Sequence, residues 1–192
     1  AYCGIRPFHI TDWTNQYRFG DYLHHRYVTC AMALLLGAGY LACIGYSWQK
    51  AQIIFLLIVY KVIDGFADVY ESEFQRQGCL YLTGRSNTFR TILSVGVFLA
   101  TLVSGAGLFA ACAAAVLGQI AGVVLFDIVV LRELKRVDYG WSAKQGVSLT
   151  ASSILLFVSV FLDFYIFSAA KYAIDAHLGD AASGYFNVIF MP

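Results

Sequence analysis

Residues 91–131 have the sequence TILSVGVFLATLVSGAGLFAACAAAVLGQIAGVVLFDIVVL, and this stretch decides the fold because Asp127 is the single charged residue in a run of 41. One straight helix of that length would measure about 60 Å. The hydrocarbon core of a bilayer is about 30 Å thick. We therefore predict a helical hairpin of two membrane spans that turns at the cluster Ser104, Gly105, Ala106 and Gly107. The second arm is rich in Ala and Gly, a composition that lets membrane helices approach closely.

The composition of the whole chain also indicates a membrane protein. Of its 192 residues, 59% are hydrophobic and 13% are charged, and the mean hydropathy is +0.66. Soluble domains have about a quarter charged residues. The net charge of +1 gives no argument for a nucleic acid or an acidic partner. We predict an all-α, polytopic transmembrane bundle that crosses the bilayer about five times.

The other three predicted spans cover residues 28–47, 52–70 and 147–169. Residues 1–27 are predicted as a loop and an amphipathic helix entry, 48–51 as a turn, 78–84 as a break in the helix and 171–184 as a polar outer loop. No signal peptide is expected, and both ends are expected to be cut from a longer chain. The cysteines follow no metal-ligand spacing, so we predict reduced packing residues at Cys3, Cys30, Cys43, Cys79 and Cys112.

Basic residues are distributed unequally between the predicted loops, which indicates an orientation because short cytoplasmic loops collect Lys and Arg. One side has ten: Arg6, Arg18, Arg26, Arg76, Arg85, Arg90, Arg132, Lys135, Arg136 and Lys144. The other side has Lys50 and Lys171. We predict that loops 1–27, 71–90 and 132–146 are cytoplasmic. Trp13, Trp48 and Trp141 lie at span ends and are expected to be interfacial anchors.

A polar stripe is predicted on the second span. At 100° per residue its members share an arc of about 80°: Lys61, Asp64, Asp68, Glu71 and Gln75. Lys61 and Asp64 can pair on adjacent turns, which leaves two acids in surplus. A charge in lipid costs at least about 2.5 to 3.5 kcal/mol. The stripe therefore either packs dry against a neighbouring helix or lines a solvated path, and the surplus acid favours the path.

Three further polar positions have two interpretations each. Asp127 is expected to reach the interface or to pair with Arg132. Asp163 is a candidate ion-coupling residue or an interfacial carboxylate. His24 and His25 with Asp21 offer too few ligands for zinc, and we predict no metal, no other cofactor and no catalytic residue.

Two segments resemble the polysaccharide (O-antigen type) flippases of the multidrug/oligosaccharidyl-lipid/polysaccharide exporter superfamily. Residues 6–29, RPFHITDWTNQYRFGDYLHHRYVT, resemble the entry to the third helix of that family. Residues 61–90, KVIDGFADVYESEFQRQGCLYLTGRSNTFR, resemble its fourth helix and the following loop. The matching positions are Lys61, Asp64, Asp68, Phe74, Gln75, Gly78, Ser86 and Arg90.

The resemblance implies a fragment of a two-lobe transporter with twelve to fourteen helices. Residues 1–131 would be helices three to six in the N-terminal lobe, 132–146 the cytoplasmic linker between the lobes, and 147–192 the start of the C-terminal lobe. Its substrate would be an undecaprenyl-diphosphate-linked sugar repeat unit, flipped across the bacterial inner membrane for surface polysaccharide or lipopolysaccharide biosynthesis. The implied partners are membrane lipids and the polysaccharide polymerase and glycosyltransferases of the same pathway.

A diphosphate needs a cationic path through the membrane. Lys61 is the mid-membrane candidate, Arg26 and Arg90 are candidates near the cytoplasmic mouth, and Asp64 and Asp68 complete the predicted path. A cation-coupled drug or small-molecule exporter of the same superfamily, with Asp64 or Asp163 as its ion site, is the closest alternative. A purely structural membrane protein is a third. A phosphotransferase is disfavoured, because Asp68 stands where its metal-binding motif needs Arg and no Asp occurs between Asp68 and Asp127.

Overall fold

The computed structural model describes residues 5–12, 14, 16–134 and 137–190, and within these ranges the regular structure is entirely helical. The predictions for Cys3, Trp13, Lys135 and Arg136 fall outside the described residues. In chain order the elements are α1 (Ile5–Thr11), α2 (Phe19–Ile44), α3 (Trp48–Arg76), α4 (Leu80–Val103), α5 (Leu108–Gly122), a π-helical segment (Val123–Ile128), α6 (Val129–Glu133) and α7 (Ala143–Phe190).

The described residues confirm the all-α prediction, and four helical stretches, against about five predicted spans, are long and apolar enough to cross a membrane. They are Phe19–Ile44, Leu80–Val103, Leu108–Glu133 and Ala143–Lys171. The fourth ends before Gly179, where α7 is interrupted (φ 81°, ψ 174°). Helix α3 is 29 residues long, which corresponds to about 43 Å. It packs against α2, α4 and α5, although charged residues lie in its middle.

The predicted hairpin is confirmed at its turn. Helix α4 ends at Val103 and α5 begins at Leu108, while Gly105 (φ 81°) and Gly107 (φ 88°) adopt left-handed backbone conformations that favour glycine. The two arms also come close along their length. A Cβ on Gly118 would lie 3.1 Å from the Cα of Ser94. The small residues of the second arm therefore allow the close approach of α4 and α5 that their composition predicts.

Several predicted boundaries are wrong. The predicted break at 78–84 is confined to Gly78 and Cys79, since α4 already begins at Leu80. Gly84 continues this helix because an interior glycine costs only about 1 kcal/mol. The turn predicted at 48–51 lies earlier, at 45–47, where Gly45 has φ 70°. The predicted outer loop 171–184 is helical on both sides of Gly179.

The two ends of the bundle differ, and we name them by their contents. The charged end contains α1, the start of α2, the end of α3, the start of α4, the π-helical segment, α6 and residues 137–142. The turn end contains the connections 45–47 and 104–107. A buried aromatic and aliphatic core lies at the charged end: Ile5, Tyr17, Phe19, Tyr22, Val69, Tyr70, Phe74, Leu131 and Leu149.

The connection that precedes α7 is tied to the start of α2. The amide of Gly20 donates to the carbonyl of Asp138 (3.2 Å), and the amide of Ser142 donates to a carboxylate oxygen of Asp21 (2.9 Å). A Cβ at Gly20 would lie 2.4 Å from the carbonyl oxygens of Tyr139 and Gly140. Only glycine permits this backbone approach without a shift of the chain.

Candidate functional site

Three carboxylates on α3 form the centre of a buried network of ion pairs. Asp68 accepts a 2.6 Å hydrogen bond from Nη2 of Arg26 on α2 and a 2.8 Å hydrogen bond from Nη1 of Arg6 on α1. The same Arg6 nitrogen lies 3.4 Å from Glu71 Oε2. One face of α3 is thus held to two segments that precede it by more than 40 residues.

Arg90 on α4 joins the same face of α3 to the π-helical segment. Its Nη2 lies 2.7 Å from Glu71 Oε1 and 3.3 Å from Asp64 Oδ1, while its Nη1 donates to Asp127 Oδ2 at 2.9 Å. The Ser86 hydroxyl donates to the other oxygen of Asp127. The expectation that Asp127 reaches the interface or pairs with Arg132 is therefore wrong, because Asp127 is fully buried and bound to Arg90.

These contacts form one chain of alternating charges, which we name the charge ladder. It begins with Lys61, whose Nζ lies 3.6 Å from Asp64 Oδ2. In order of contact its members are Lys61, Asp64, Arg90, Glu71, Arg6, Asp68 and Arg26, with Asp127 as a branch on Arg90. Four cations face four carboxylates. This balance matters because an uncompensated charge in a low-dielectric interior is strongly destabilising.

The cations of the ladder differ in exposure. The side chains of Arg26 and Arg90 are 1% and 2% exposed, whereas those of Arg6 and Lys61 are 36% and 70% exposed. The terminal nitrogens of the buried arginines hold helices together. A ligand that reaches this part of the molecule meets Lys61 and Arg6 first.

A polar cavity of about 120 Å³ lies beside the ladder. Its wall consists of Arg6, Asp64, Asp68, Glu71, Asn87 and Arg90. Such a volume has room for a few water molecules, and charged walls supply the hydrogen-bond partners that buried water requires. The predicted polar stripe therefore borders a small space as well as packing against arginines.

The π-helical segment brings Asp127 to Arg90. It spans Val123–Ile128 and follows Gly122, where a Cβ would lie 2.7 Å from Cγ of Arg90. Short π-helical segments inside α-helices are frequent at functional sites. Gly122 is the local feature of the sequence that allows the Arg90 side chain to cross α5, and sequence reasoning missed it.

A second polar cluster lies nearer to the charged end and ties α1 to α3. Nε2 of His9 is 2.9 Å from Glu73 Oε2, and Glu73 also accepts hydrogen bonds from Arg76 (3.0 Å) and Gln77 (2.7 Å). Burial lowers the pKa of His9 below its usual value, outweighing the hydrogen bond and negative charge of Glu73. Burial raises the pKa of Glu73, but the hydrogen bonds from His9, Gln77 and Arg76 outweigh it and lower that pKa to about 2.

The structure brings together all five residues predicted for the substrate path: Lys61, Asp64, Asp68, Arg26 and Arg90. It adds Arg6, Glu71, Ser86 and Asp127, of which only Glu71 had been assigned to the stripe. Asp163 lies elsewhere, exposed on α7. His24 packs against Trp141 with ring centroids 4.4 Å apart.

Comparison of the chain with protein-family models, with curated proteins and with solved structures gave no match.

Proposed function

We propose that the chain is part of a membrane transporter that flips an undecaprenyl-diphosphate-linked sugar repeat unit across the bacterial inner membrane for surface polysaccharide biosynthesis. In this proposal α3 also crosses the membrane, which adds a crossing to the four candidate spans. The charged end faces the cytoplasm, as the ten basic residues on that side predict. Residues 1–131 belong to one lobe, and α7 opens the second.

The position of Lys61 carries the proposal. Thirteen residues separate it from the start of α3, so it lies about 20 Å along a helix of about 43 Å. Its side chain is largely exposed and lines a groove of about 370 Å³ between α2 and α3, among Ala33, Leu57 and Val62. Exposure of an ammonium to lipid at that depth would cost at least about 2.5 kcal/mol. A hydrated path for an anionic headgroup removes that cost.

Within the charge ladder, Asp64 is a stable neighbour of Lys61 but leaves the Lys61 ammonium able to bind a ligand. Asp64 lies 3.6 Å from its ammonium, longer than the best charged hydrogen bonds, and also contacts Arg90 and Gln119. A diphosphate could therefore bind Lys61 while Asp64 retains other partners. Arg6, half-exposed on α1, supplies a second cation near the predicted cytoplasmic mouth.

The test is a set of substitutions at Lys61. Lys61→Ala should strongly reduce surface polysaccharide while the protein reaches the membrane at a normal level, since Asp64 keeps Arg90 and Gln119. Lys61→Arg should retain part of the activity because it keeps a cation that can bind phosphate. Lys50→Ala is the matched control, because Lys50 lies on the same helix at the turn end, above the ring of Tyr46; transport should be unchanged.

A structural role for Lys61 predicts a different pattern. Lys61→Ala would then lower the amount of protein in the membrane, and the double change Lys61→Ala with Asp64→Ala would restore both abundance and transport. Rescue by the double variant excludes the substrate role.

A cation-coupled exporter is the second candidate, and one observation favours it. Three carboxylates, Asp64, Asp68 and Glu71, border the 120 Å³ cavity. In that case Asp64→Asn would remove the dependence of transport on a proton or sodium gradient, whereas surface polysaccharide would be unaffected by any of the Lys61 substitutions.

A further inference from the structure

A groove between α2 and α7 is separate from the charge ladder. Its volume is about 470 Å³, within the range of about 300 to 1,000 Å³ that is usual for small-ligand sites. His24, His25 and Val28 line it from α2, and Trp141, Val147 and Ile154 line it from the other side. From Val147 to Ile154 the groove follows α7 for about 10 Å.

One end of the groove is polar, and a lysine lies on the adjoining turn of α7. The indole nitrogen of Trp141 lies 3.7 Å from the Cβ position of Gly146, on the first turn of α7. Lys144 is exposed on the same turn. Seven residues separate it from Ala151, which lines the groove, so the two side chains point within about 20° of each other. Lys144 therefore lies on the face of α7 that lines the groove, about one turn before Val147.

The other end is apolar and open. Val28, Val147 and Ile154 are exposed although they belong to helices long and apolar enough to cross a membrane. In such helices an exposed apolar wall is in contact with lipid chains. The groove thus has a lysine and an aromatic N–H donor near one end and a hydrocarbon surface at the other, an arrangement that complements an anionic amphiphile.

We propose that this groove binds one anionic phospholipid, with its phosphate at Lys144, Trp141 and His24 and an acyl chain along Val28, Val147 and Ile154. Basic pockets between membrane helices bind acidic lipid headgroups in this manner, and Trp residues favour the headgroup level. The bound lipid bridges α2 and α7 next to the backbone contact at Gly20. This assignment does not depend on the transported substrate.

The experiment uses the purified chain in detergent and measures retained lipid by native mass spectrometry. Phosphatidylglycerol is the probe, phosphatidylcholine the zwitterionic comparison and undecaprenyl phosphate the competitor. Wild-type protein should retain phosphatidylglycerol over phosphatidylcholine by about fivefold, the contribution of one basic residue near an anionic lipid. Val147→Trp fills the groove and should abolish retention of both lipids, whereas Ile166→Trp, about 28 Å further along α7, should not.

Charge is tested separately. Lys144→Glu should remove the preference for phosphatidylglycerol but keep the retention of phosphatidylcholine, and Lys171→Glu on the same helix should change neither. Circular dichroism checks that Val147→Trp is folded. Equal retention of the two phospholipids by wild type, or equal behaviour of Val147→Trp and Ile166→Trp, overturns the proposal. Displacement of phosphatidylglycerol by equimolar undecaprenyl phosphate also overturns it, because the groove would then belong to the carrier lipid.

Discussion

The charged end and the turn end of the bundle are held together by different means. At the charged end, buried polar side chains join segments that are distant in sequence, as when Arg26 binds Asp68 across 42 residues. At the turn end, consecutive helices are joined by short glycine turns, and large apolar side chains such as Trp48 and Val103 are exposed.

The difference shows where the arrangement of the helices is specified. Lipid chains are as apolar as Leu side chains, so hydrophobic burial does not select one packing of membrane helices over another. Ion pairs with fixed geometry do discriminate, because a mispaired charge in lipid is costly. We infer that the ion pairs at the charged end determine how α1 to α5 align with one another. The turn end mainly limits the length of the connections between consecutive helices.

The largest effect is expected from removal of the central cation of the ladder. Arg90→Ala leaves Glu71 and Asp127 buried without their shared partner, and loss of one member of a buried ion pair costs about 3 to 5 kcal/mol. The free energy of unfolding in detergent should fall by that amount. Arg85→Ala is the matched control, because Arg85 is exposed on the same helix and lies over the ring of Phe89. If Arg90→Ala and Arg85→Ala lost similar free energies of unfolding, buried charges would contribute no more to stability than exposed ones.

Part of this arrangement was predictable from periodicity alone. The 100° spacing placed Asp64, Asp68 and Glu71 on one face of α3, and the structure has all three in one ladder. The turn at 104–107 followed from the length of the apolar run and its glycines. Such features depend on residues within a few turns of each other, where sequence and geometry are directly linked.

The partners of those carboxylates were not predictable, because they depend on how separate helices pack. Nothing local to Asp127 indicates Arg90, which is 37 residues away. The π-helical segment and the close approach at Gly122 decide that pairing. Arg6 was counted only as a cytoplasmic charge, and its role needed the position of α1, a short helix within a segment predicted as a loop.

The second-largest effect tests whether the backbone contact at Gly20 constrains the packing of the charged end as strongly as the ion pairs do. Gly20→Val places a side chain where even a Cβ would lie 2.4 Å from two carbonyl oxygens, so residues 138–142 must move. Overpacking of this kind costs about 1 to 3 kcal/mol. Gly84→Val is the control, since Gly84 is also helical and nothing lies within 4 Å of its Cβ position.

Two measurements check this prediction. The free energy of unfolding should fall for Gly20→Val and change little for Gly84→Val, and limited proteolysis should cleave residues 138–142 faster only in the former. Equal protease resistance of the two variants would mean that these residues are not held by the contact at Gly20.

The smallest effect concerns pH and distinguishes a buried histidine at the charged end from an exposed one on α7. Burial keeps the pKa of His9 below 6.5, so below that pH the unfolded chain takes up a proton that the folded chain refuses. The unfolded state then binds more protons, and stability falls as pH decreases, by up to about 1.4 kcal/mol per pH unit. Glu73 adds a second decline between 4.5 and about 2, because its pKa is lowered in the folded chain.

His9→Gln separates the two declines. The amide of Gln can still donate to Glu73 but does not titrate, so the decline that begins near pH 6.5 should become smaller while the decline below pH 4.5 remains. His177→Gln is the control because His177 is exposed on α7; its stability profile should match that of the wild type. Thermal unfolding across this pH range measures both. If the loss of stability that begins near pH 6.5 is unchanged in His9→Gln, burial does not protect the contact between α1 and α3. The charged end would then hold α1 no more firmly than the glycine turns hold the helices at the turn end.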